Sequence, residues 1–478
     1  MLERSTGARG GPSAWPGVAF LSLALLCSCT NPDQWIGDLW SHRSSKDPQA
    51  SPPTFSLPAG IYNDTGMNVT ISAPDPGATI YYTINGSAPT TTSASGPSPL
   101  TVSLADGTTD RLQAMATSTA QQPSVVVSVT YYVDPVIQTW AGGGGTVAAE
   151  GLGSSALELG SPAGIFLSPS GDLYVADPDN DVVIRISGAT VHLVAGTPLS
   201  AGFSPDGTPA ISARLDHPSG VAVNSAGDVY IADTNNAVIR VVNNADGNLY
   251  TVAGGGSDVT AMNVPATSAS LLEPSGLALD AAGRLYICDT IRDRVRRYDP
   301  STGLIATIAG DGSAPGAPTA TAGDGGPATS AQLASPLNLW VSPSGYPIYI
   351  ADSNDNRIRK VDSNGIITTV AGTGAIPGSL GDGGAANSAC LNDPTGVAAD
   401  GWGNLYVADQ WDYRVRKIRP DGTIWTVAGN GNNGFYQDDL PVSNPNVWLS
   451  SANGMAVDVQ GRLYLTGSGR IRCVPAHP

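Results

Sequence analysis

Positive charge is scarce in this chain: 23 Lys and Arg stand against 40 Asp and Glu in 478 residues, a formal net charge of −17. Such a chain repels nucleic-acid phosphates rather than neutralising them, which argues against a nucleic-acid partner. Where basic residues do gather, Arg292, Arg294, Arg296 and Arg297 interleave with Asp289, Asp293 and Asp299, the pattern of an ion-paired or solvated strand face. Histidine is nearly missing. His42, His192, His217 and His477 lie on four unrelated segments, which excludes a three-His zinc site. No Gly-x-Ser-x-Gly elbow occurs, and Cys288, Cys390 and Cys473 have no evident His partner, so nucleophilic catalysis has no carrier. Cys288 and Cys473 sit in strand-like runs and read as small buried hydrophobes, while the pairing of Cys390 is left open by the sequence. The apolar run from Val18 to Leu26, preceded by Arg4 and Arg9, is too short for a comfortable membrane span.

That run ends in Leu26-Cys27-Ser28-Cys29, which resembles a bacterial lipobox. The resemblance implies that residues 1–28 are a lipoprotein signal peptide and that Cys29 is acylated after cleavage behind Ser28. The alternative box ending at Cys27 lacks the small residue before its Cys, and an ordinary secretory peptide is the simpler competitor. Thr30 stands where an Asp would mark retention in the inner membrane, so the outer membrane or the cell surface is favoured. Residues 29–53 are polar with no apolar period and read as a tether; Trp35 and Trp40 within it are isolated aromatics.

What is abundant is Gly, Pro and strand-forming residues: Gly 58 and Pro 37 accompany many Val, Ile, Thr and Tyr, the composition of short strands joined by turns. In residues 54–134 alternating runs such as Asn68-Val69-Thr70-Ile71 and Thr79 to Thr83 are divided by Asn85-Gly86 and Asp106-Gly107, predicting a small antiparallel sandwich. The stretch Pro76-Gly77-Ala78-Thr79-Ile80-Tyr81-Tyr82-Thr83 to Thr90 resembles the chitobiase/β-hexosaminidase C-terminal domain family. The resemblance implies an immunoglobulin-like accessory module that acts as a spacer. Tyr81 and Tyr82 are assigned to its core, and no paired carboxylates support glycoside hydrolysis there.

From residue 135 to 478 one unit recurs. Its Tyr falls at 174, 230, 286, 349, 406 and 464, and Asp follows three residues later at Asp177, Asp233, Asp289, Asp352 and Asp409, with Gly467 breaking the series. An Arg closes each copy at 185, 240, 296, 359, 416 and 472. In the second copy four strands are expected, at 220–224, 229–233, 238–242 and 249–253, with turns at Ala226-Gly227, Asn235-Asn236 and Asp246-Gly247. Four antiparallel strands repeated radially make a propeller. Pro-Ser-Gly-Val-Ala-Val followed by Val-Tyr-Ile-Ala-Asp-Thr-Asn-Asn and Val-Ile-Arg resembles the NHL repeat family. The sixth copy runs out after its third strand at Val474, and Val136 to Gly142 matches a fourth strand. The predicted fold is all-β: a six-bladed β-propeller, its last blade closed by the N-terminal strand, preceded by the sandwich.

Meander parity assigns the strand two-to-three turns and the insertions at 197–216, 255–272, 311–334, 373–392 and 430–449 to one face, where function is expected. The repeated Asp is read as a turn-former whose carboxylate accepts N–H bonds from the turn that follows, with the strand-three Arg pairing nearby. Gly323-Asp324-Gly325-Gly326 and Gly381-Asp382-Gly383-Gly384 read as tight turns rather than phosphate cradles. Asp177 to Asp181 and Asp352 to Asn356 alternate oxygen ligands but lack the Gly and distal Glu of a calcium loop. The amidating-lyase relatives of the fold place His after the first-strand Pro, where this chain has Ala163, Ser219, Ser275, Leu337, Thr395 and Asn453. The remaining enzymatic reading is a lactonase-like calcium site at the central opening, built from His217, Glu273 and Asp393; otherwise no cofactor is expected. The favoured site is aromatic. Trp411, Tyr413, Phe435, Tyr436 and Trp448 cluster in sequence on the long-loop side of blades five and six and suit a glycan or an extended peptide. The expected partner is an envelope or extracellular protein, peptide or glycan, met by a chain held to the membrane by its lipid.

Overall fold

The computed structural model describes residues 49–474, apart from 58–59, 63–67, 105–107, 120, 134–135, 315–322, 377–379, 435–439, 442–448, 450–451 and 460. Cys29, Phe435, Tyr436 and Trp448 therefore lie outside the described residues, and so do His42 and His477. Among the described residues no helix is long and apolar enough to cross a membrane.

The chain is all-β. Its first module stacks a three-stranded sheet, ordered Thr54–Phe55, Asn68–Ser72, Leu100–Ser103, on a five-stranded one containing Thr79–Thr83, Thr108–Thr117 and Val127–Val133. Period-two alternation sends Val69, Ile71, Ile80, Val102, Leu112 and Ala114 inward to one core. Two expectations need correction. Gly60–Tyr62 pairs parallel to Val127–Val133, so the module is not purely antiparallel. Tyr82 packs against the core beside Ile80, but the same alternation turns Tyr81 to the opposite side of the strand, away from that cluster.

The rest of the chain is a β-propeller. In the second unit the strands are Pro218–Val223, Val229–Asp233, Val238–Val242 and Asn248–Gly254, joined as an antiparallel meander. Strand two is buried along its whole length because both its faces are covered, which is why Val-Tyr-Ile-Ala-Asp shows no apolar–polar alternation. Val136–Gly142 pairs antiparallel with Arg470–Val474, placing Ala141 opposite Ile471 and Gln138 opposite Cys473. The first and last parts of the repeat region thus share one sheet.

Neighbouring units are joined by a recurrent latch. The residue after the repeated Asp donates its hydroxyl to the carbonyl of the Pro that opens the next unit: Thr234 to Pro274 at 2.9 Å, Thr290 to Pro336 at 3.0 Å and Ser353 to Pro394 at 2.6 Å. Thr466 closes the circle onto the carbonyl of Ala163 at 2.8 Å. Innermost strands also approach closely. A Cβ on Gly220 would lie 2.0 Å from the carbonyl oxygen of Ser275, so only glycine fits there.

The insertions do not stay on one face as parity alone suggested. Each runs outward to the outer edge of the unit it precedes: Thr208–Pro209 pairs with Asn248 and Leu249, Met262–Pro265 with strand Leu304–Ala309, and Leu440–Pro441 with Val136 and Ile137. Single bridges Pro327 to Ile366 and Ala385 to Thr423 do the same in units four and five. The outermost strands are covered rather than left as open edges. The insertions then return through a turn that buries Ala210, Ala213 and Leu215, repeated as Ala266, Ala269 and Leu271, as Ala328, Ala331 and Leu333, and as Ala386, Ala389 and Leu391. They belong to the repeat and supply its inter-unit cores.

Candidate functional site

The repeated carboxylates are fully buried and occupied. Asp233 accepts the backbone N–H of Asp216 at 2.8 Å, Asp289 that of Leu272 at 2.8 Å, Asp352 that of Ala334 at 2.7 Å and Asp409 that of Asn392 at 2.7 Å. Asp177 accepts from Gly160 and Ser161. These donors precede strand one; they do not belong to the turn that follows the Asp, as the sequence suggested. That turn contributes only side chains, Asn180 to Asp177 at 2.7 Å and Asn236 to Asp233 at 2.9 Å. The carboxylate therefore ties the incoming insertion to the end of strand two.

Behind it lies the strand-three Arg, fully buried in four units as Arg240, Arg296, Arg359 and Arg416. Arg296 meets Asp289 at 2.9 Å, Arg359 meets Asp352 at 3.2 Å and Arg416 meets Asp409 at 3.3 Å. A second carboxylate from the insertion completes the group: Asp324 on Arg359 at 2.6 Å, Asp382 on Arg416 at 2.8 Å, and Asp206 within 3.6 Å of Arg240. The Gly-Asp-Gly-Gly turns thus supply the outer half of a buried ion triad. Burial pushes Asp233 up to about 6 and Asp352 and Asp409 up to about 7, because desolvation outweighs the Arg and the hydrogen bonds.

His217, Glu273 and Asp393 are not brought together. Among the described residues no three His, Cys, Asp or Glu lie close enough to hold a metal. Their shared feature is a backbone one: φ is 57° at His217, 51° at Glu273 and 54° at Asp393, each immediately before a Pro. This uncommon conformation is pinned from the preceding unit, with Asp181 accepting the N–H of His217 at 3.1 Å and Asn356 that of Asp393 at 2.8 Å. Ser335, the equivalent residue of unit four, is held in the same way by Asp293 at 2.8 Å.

Of the aromatic group, Trp411 and Tyr413 are described. Trp411 is 60% exposed, and its indole N–H donates to the Asp393 carboxylate at 2.6 Å. Two sequence candidates assigned to different chemistries therefore touch. Burial holds Asp393 above the ordinary carboxylate range against the opposing bond from Trp411. Tyr413 takes the left-handed conformation, φ 48°, at the place of Asp181, Asp293 and Asn356, so like Ala237 of the second unit it brings no carboxylate or amide to the next junction.

Beside Trp411, Gln410 replaces the latching hydroxyl of the other units and donates to Asn453 at 3.0 Å. Both line a cavity of about 200 Å³ at the start of the innermost strands, with Ser219, Ser275, Asn338 and Thr395. A second axial cavity of about 200 Å³ continues along those strands and shares Gly164, Gly276 and Asn338 with the first. Asn338 was missed by sequence reasoning. It is the one side chain in a position filled elsewhere by Gly164, Gly220, Gly276, Gly396 and Gly454, and aligning the copies two residues after the opening Pro would have exposed it. The site offers hydrogen-bonding amides, a carboxylate and an indole face, an arrangement for binding.

Fold and repeat together define a β-propeller that follows a smaller two-sheet module. The family models bear this out in pieces: the chitobiase/β-hexosaminidase C-terminal domain matches residues 57–128, the NHL repeat 215–242 and the teneurin NHL domain 304–380. The NHL repeat-containing protein 2 of Gallus gallus is 32% identical over 158 residues, 31% of this chain and 22% of that protein. Teneurin-3 of Mus musculus is 26% identical over 275 residues, 52% of this chain and 10% of that protein. The chain thus spans about a fifth or less of the length of these curated relatives. Among solved structures, a structural-genomics protein of unknown function from Bacteroides thetaiotaomicron superposes with a TM-score of 0.54 at 18% identity, covering 89% of this chain and 98% of that one. An auxiliary nutrient binding protein from Bacteroides ovatus gives 0.52 at 15% identity, covering 89% and 97%. At these identities the likeness is one of fold.

Proposed function

We propose that this protein is an exported, membrane-anchored binding protein. In this reading a six-bladed NHL propeller, its last blade closed by the N-terminal strand, is lifted off the membrane by an immunoglobulin-like spacer. It recognises a protein, peptide or glycan at the mouth of its central opening. The observation that carries the reading is the exposed Trp411, fixed by Asp393 and next in the chain to Gln410, which lines an amide-bearing cavity. Rigid aromatic anchors flanked by polar groups dominate recognition sites. The nutrient-binding description of the similar Bacteroides ovatus structure supports it by analogy of fold.

The test is a glycan and envelope-peptide array probed with the full chain. Trp411→Ala is expected to weaken every hit by about 30-fold, the ~2 kcal/mol of a hot-spot tryptophan; hits that are indifferent to the substitution overturn the reading. The anchor has a separate measurement. Mass spectrometry of the mature N-terminus is expected to find acylated Cys29, and an unmodified terminus elsewhere removes the membrane from the proposal.

A further inference from the structure

The six junctions around the central opening are not equivalent. In units one to three the mouth is lined by Ala163, Ser219 and Ser275, with Gly164, Gly220 and Gly276 behind them. In units four to six the corresponding places hold Asn338 and Asn453, and Gln410 stands where Thr234 and Thr290 serve as latches. Three carboxamides are concentrated on one half of the mouth, and Trp411, bonded to Asp393, follows Gln410 in the chain just outside the lining.

Asn453 is engaged at both ends, accepting from Gln410 and donating to the Pro162 carbonyl at 3.5 Å, whereas Asn338 and Gln410 are only partly used. Asn338 accepts the N–H of Leu339 at 2.7 Å, which leaves its amide N–H₂ without a partner among the described residues. Gln410 spends its N–H₂ on Asn453 and Asp393 engages one oxygen with Trp411, which leaves the Gln410 carbonyl oxygen and the other Asp393 oxygen without a partner among the described residues. The half-mouth thus presents both donors and acceptors. Hydroxyl groups, which donate and accept at once, satisfy both kinds together. An anion would face Asp393, and an apolar ligand would leave the amides unpaired. The indole N–H is already committed to Asp393, so Trp411 offers its ring faces, the surface on which the C–H side of a pyranose stacks. The mouth cavity of about 200 Å³ is continued along the innermost strands by a second of about 200 Å³, which brings the opening into the range of small-molecule sites, ~300–1,000 Å³.

We infer that the mouth between units four and six is a subsite for a neutral saccharide, with Asn338 and Gln410 reading its hydroxyls and Trp411 stacking on its ring. The inference rests on the binding reading above and names its ligand class. It is tested by isothermal titration of the full chain with neutral hexoses, N-acetylhexosamines and their disaccharides. Asn338→Gly and Gln410→Thr each install the residue that other units carry at that place, and circular dichroism checks that the variants remain folded. At least one saccharide is expected to bind saturably, and each variant to weaken it about tenfold, the worth of a lost hydrogen bond. Absence of binding by every saccharide overturns the inference, as does binding that both folded variants retain. If Trp411-dependent peptide hits persist while no saccharide binds, the saccharide inference fails and the binding face stands. If the array is also empty, both fail.

Discussion

Asp409→Ala is expected to destabilise the propeller by about 3–5 kcal/mol, the usual result of leaving one member of a buried ion pair alone. Arg416 cannot shed its charge, so after the change its fully buried guanidinium depends on Asp382 and on carbonyl oxygens such as Leu380. The N–H of Asn392 loses its acceptor at the same time. Arg416→Met is expected to cost less, because the Asp409 carboxyl, pushed up to about 7 by burial, can take up a proton in place of its partner. The same shift fixes a pH dependence. A carboxyl whose folded pKa is raised from 3.8 to about 7 holds its proton in the folded state through a range where the unfolded chain has released it. The contribution of this group is therefore greatest below the unfolded value and declines as pH rises through that window. Asp409→Asn cannot ionise and should flatten its share of the slope. Urea denaturation of the three variants at pH 5, 6 and 7 tests all of this; an Arg416→Met that costs more than Asp409→Ala would overturn the argument.

The second large effect concerns ring closure. Gln138 and Cys473 are directly opposed in antiparallel strands, where Cα separations of about 4.5–5.5 Å fall in the range a disulfide needs. Cys473 carries a free thiol, and the other described cysteines, Cys288 and Cys390, are buried. Gln138→Cys is therefore expected to form a disulfide with Cys473 when an oxidant is added. The cross-link would close a loop of about 335 residues and stabilise the fold by ~6 kcal/mol in the chain-entropy account. Non-reducing electrophoresis should show a faster-migrating monomer whose denaturation midpoint drops on reduction. Burial pushes the Cys473 thiol up to about 11, so the reaction is expected to be slow at neutral pH. Cross-linking to a partner molecule instead would contradict the register of the closing strand.

The repeat was legible because its strands are marked by residues with narrow conformational roles. The strands expected at 229–233 and 238–242 occur at Val229–Asp233 and Val238–Val242, since buried β-branched runs flanked by turn residues leave little choice. The insertions were not legible as part of the repeat. Aligning the copies on Tyr made 197–216 and its counterparts look like variable loops, although those at 197–216, 255–272, 311–334 and 373–392 each carry Ala-x-x-Ala-x-Leu, because three small or apolar residues in a polar stretch give little periodic signal. The ion triads escaped for a different reason. Asp324 and Arg359 are 35 residues apart in the chain and meet only when the insertion folds back to the strand. At the candidate site, Trp411 and Asp393 were each singled out, yet nothing in the sequence said that the indole and the carboxylate would share a hydrogen bond.

The strand that closes the ring is also the strand through which the first module is attached. Val127–Val133 ends the five-stranded sheet, and after Asp134 and Pro135 the chain enters Val136–Gly142. Tension applied anywhere upstream therefore enters the propeller at its closing strand before it reaches any unit built from contiguous chain. The hydrogen bonds to Arg470–Val474 and the pairing with Leu440–Pro441 carry that load first. Under a sustained pull the sheet shared by Val136–Gly142 and Arg470–Val474 is expected to yield first, and the contact of Asn453 with Gln410 beside that sheet to change with it.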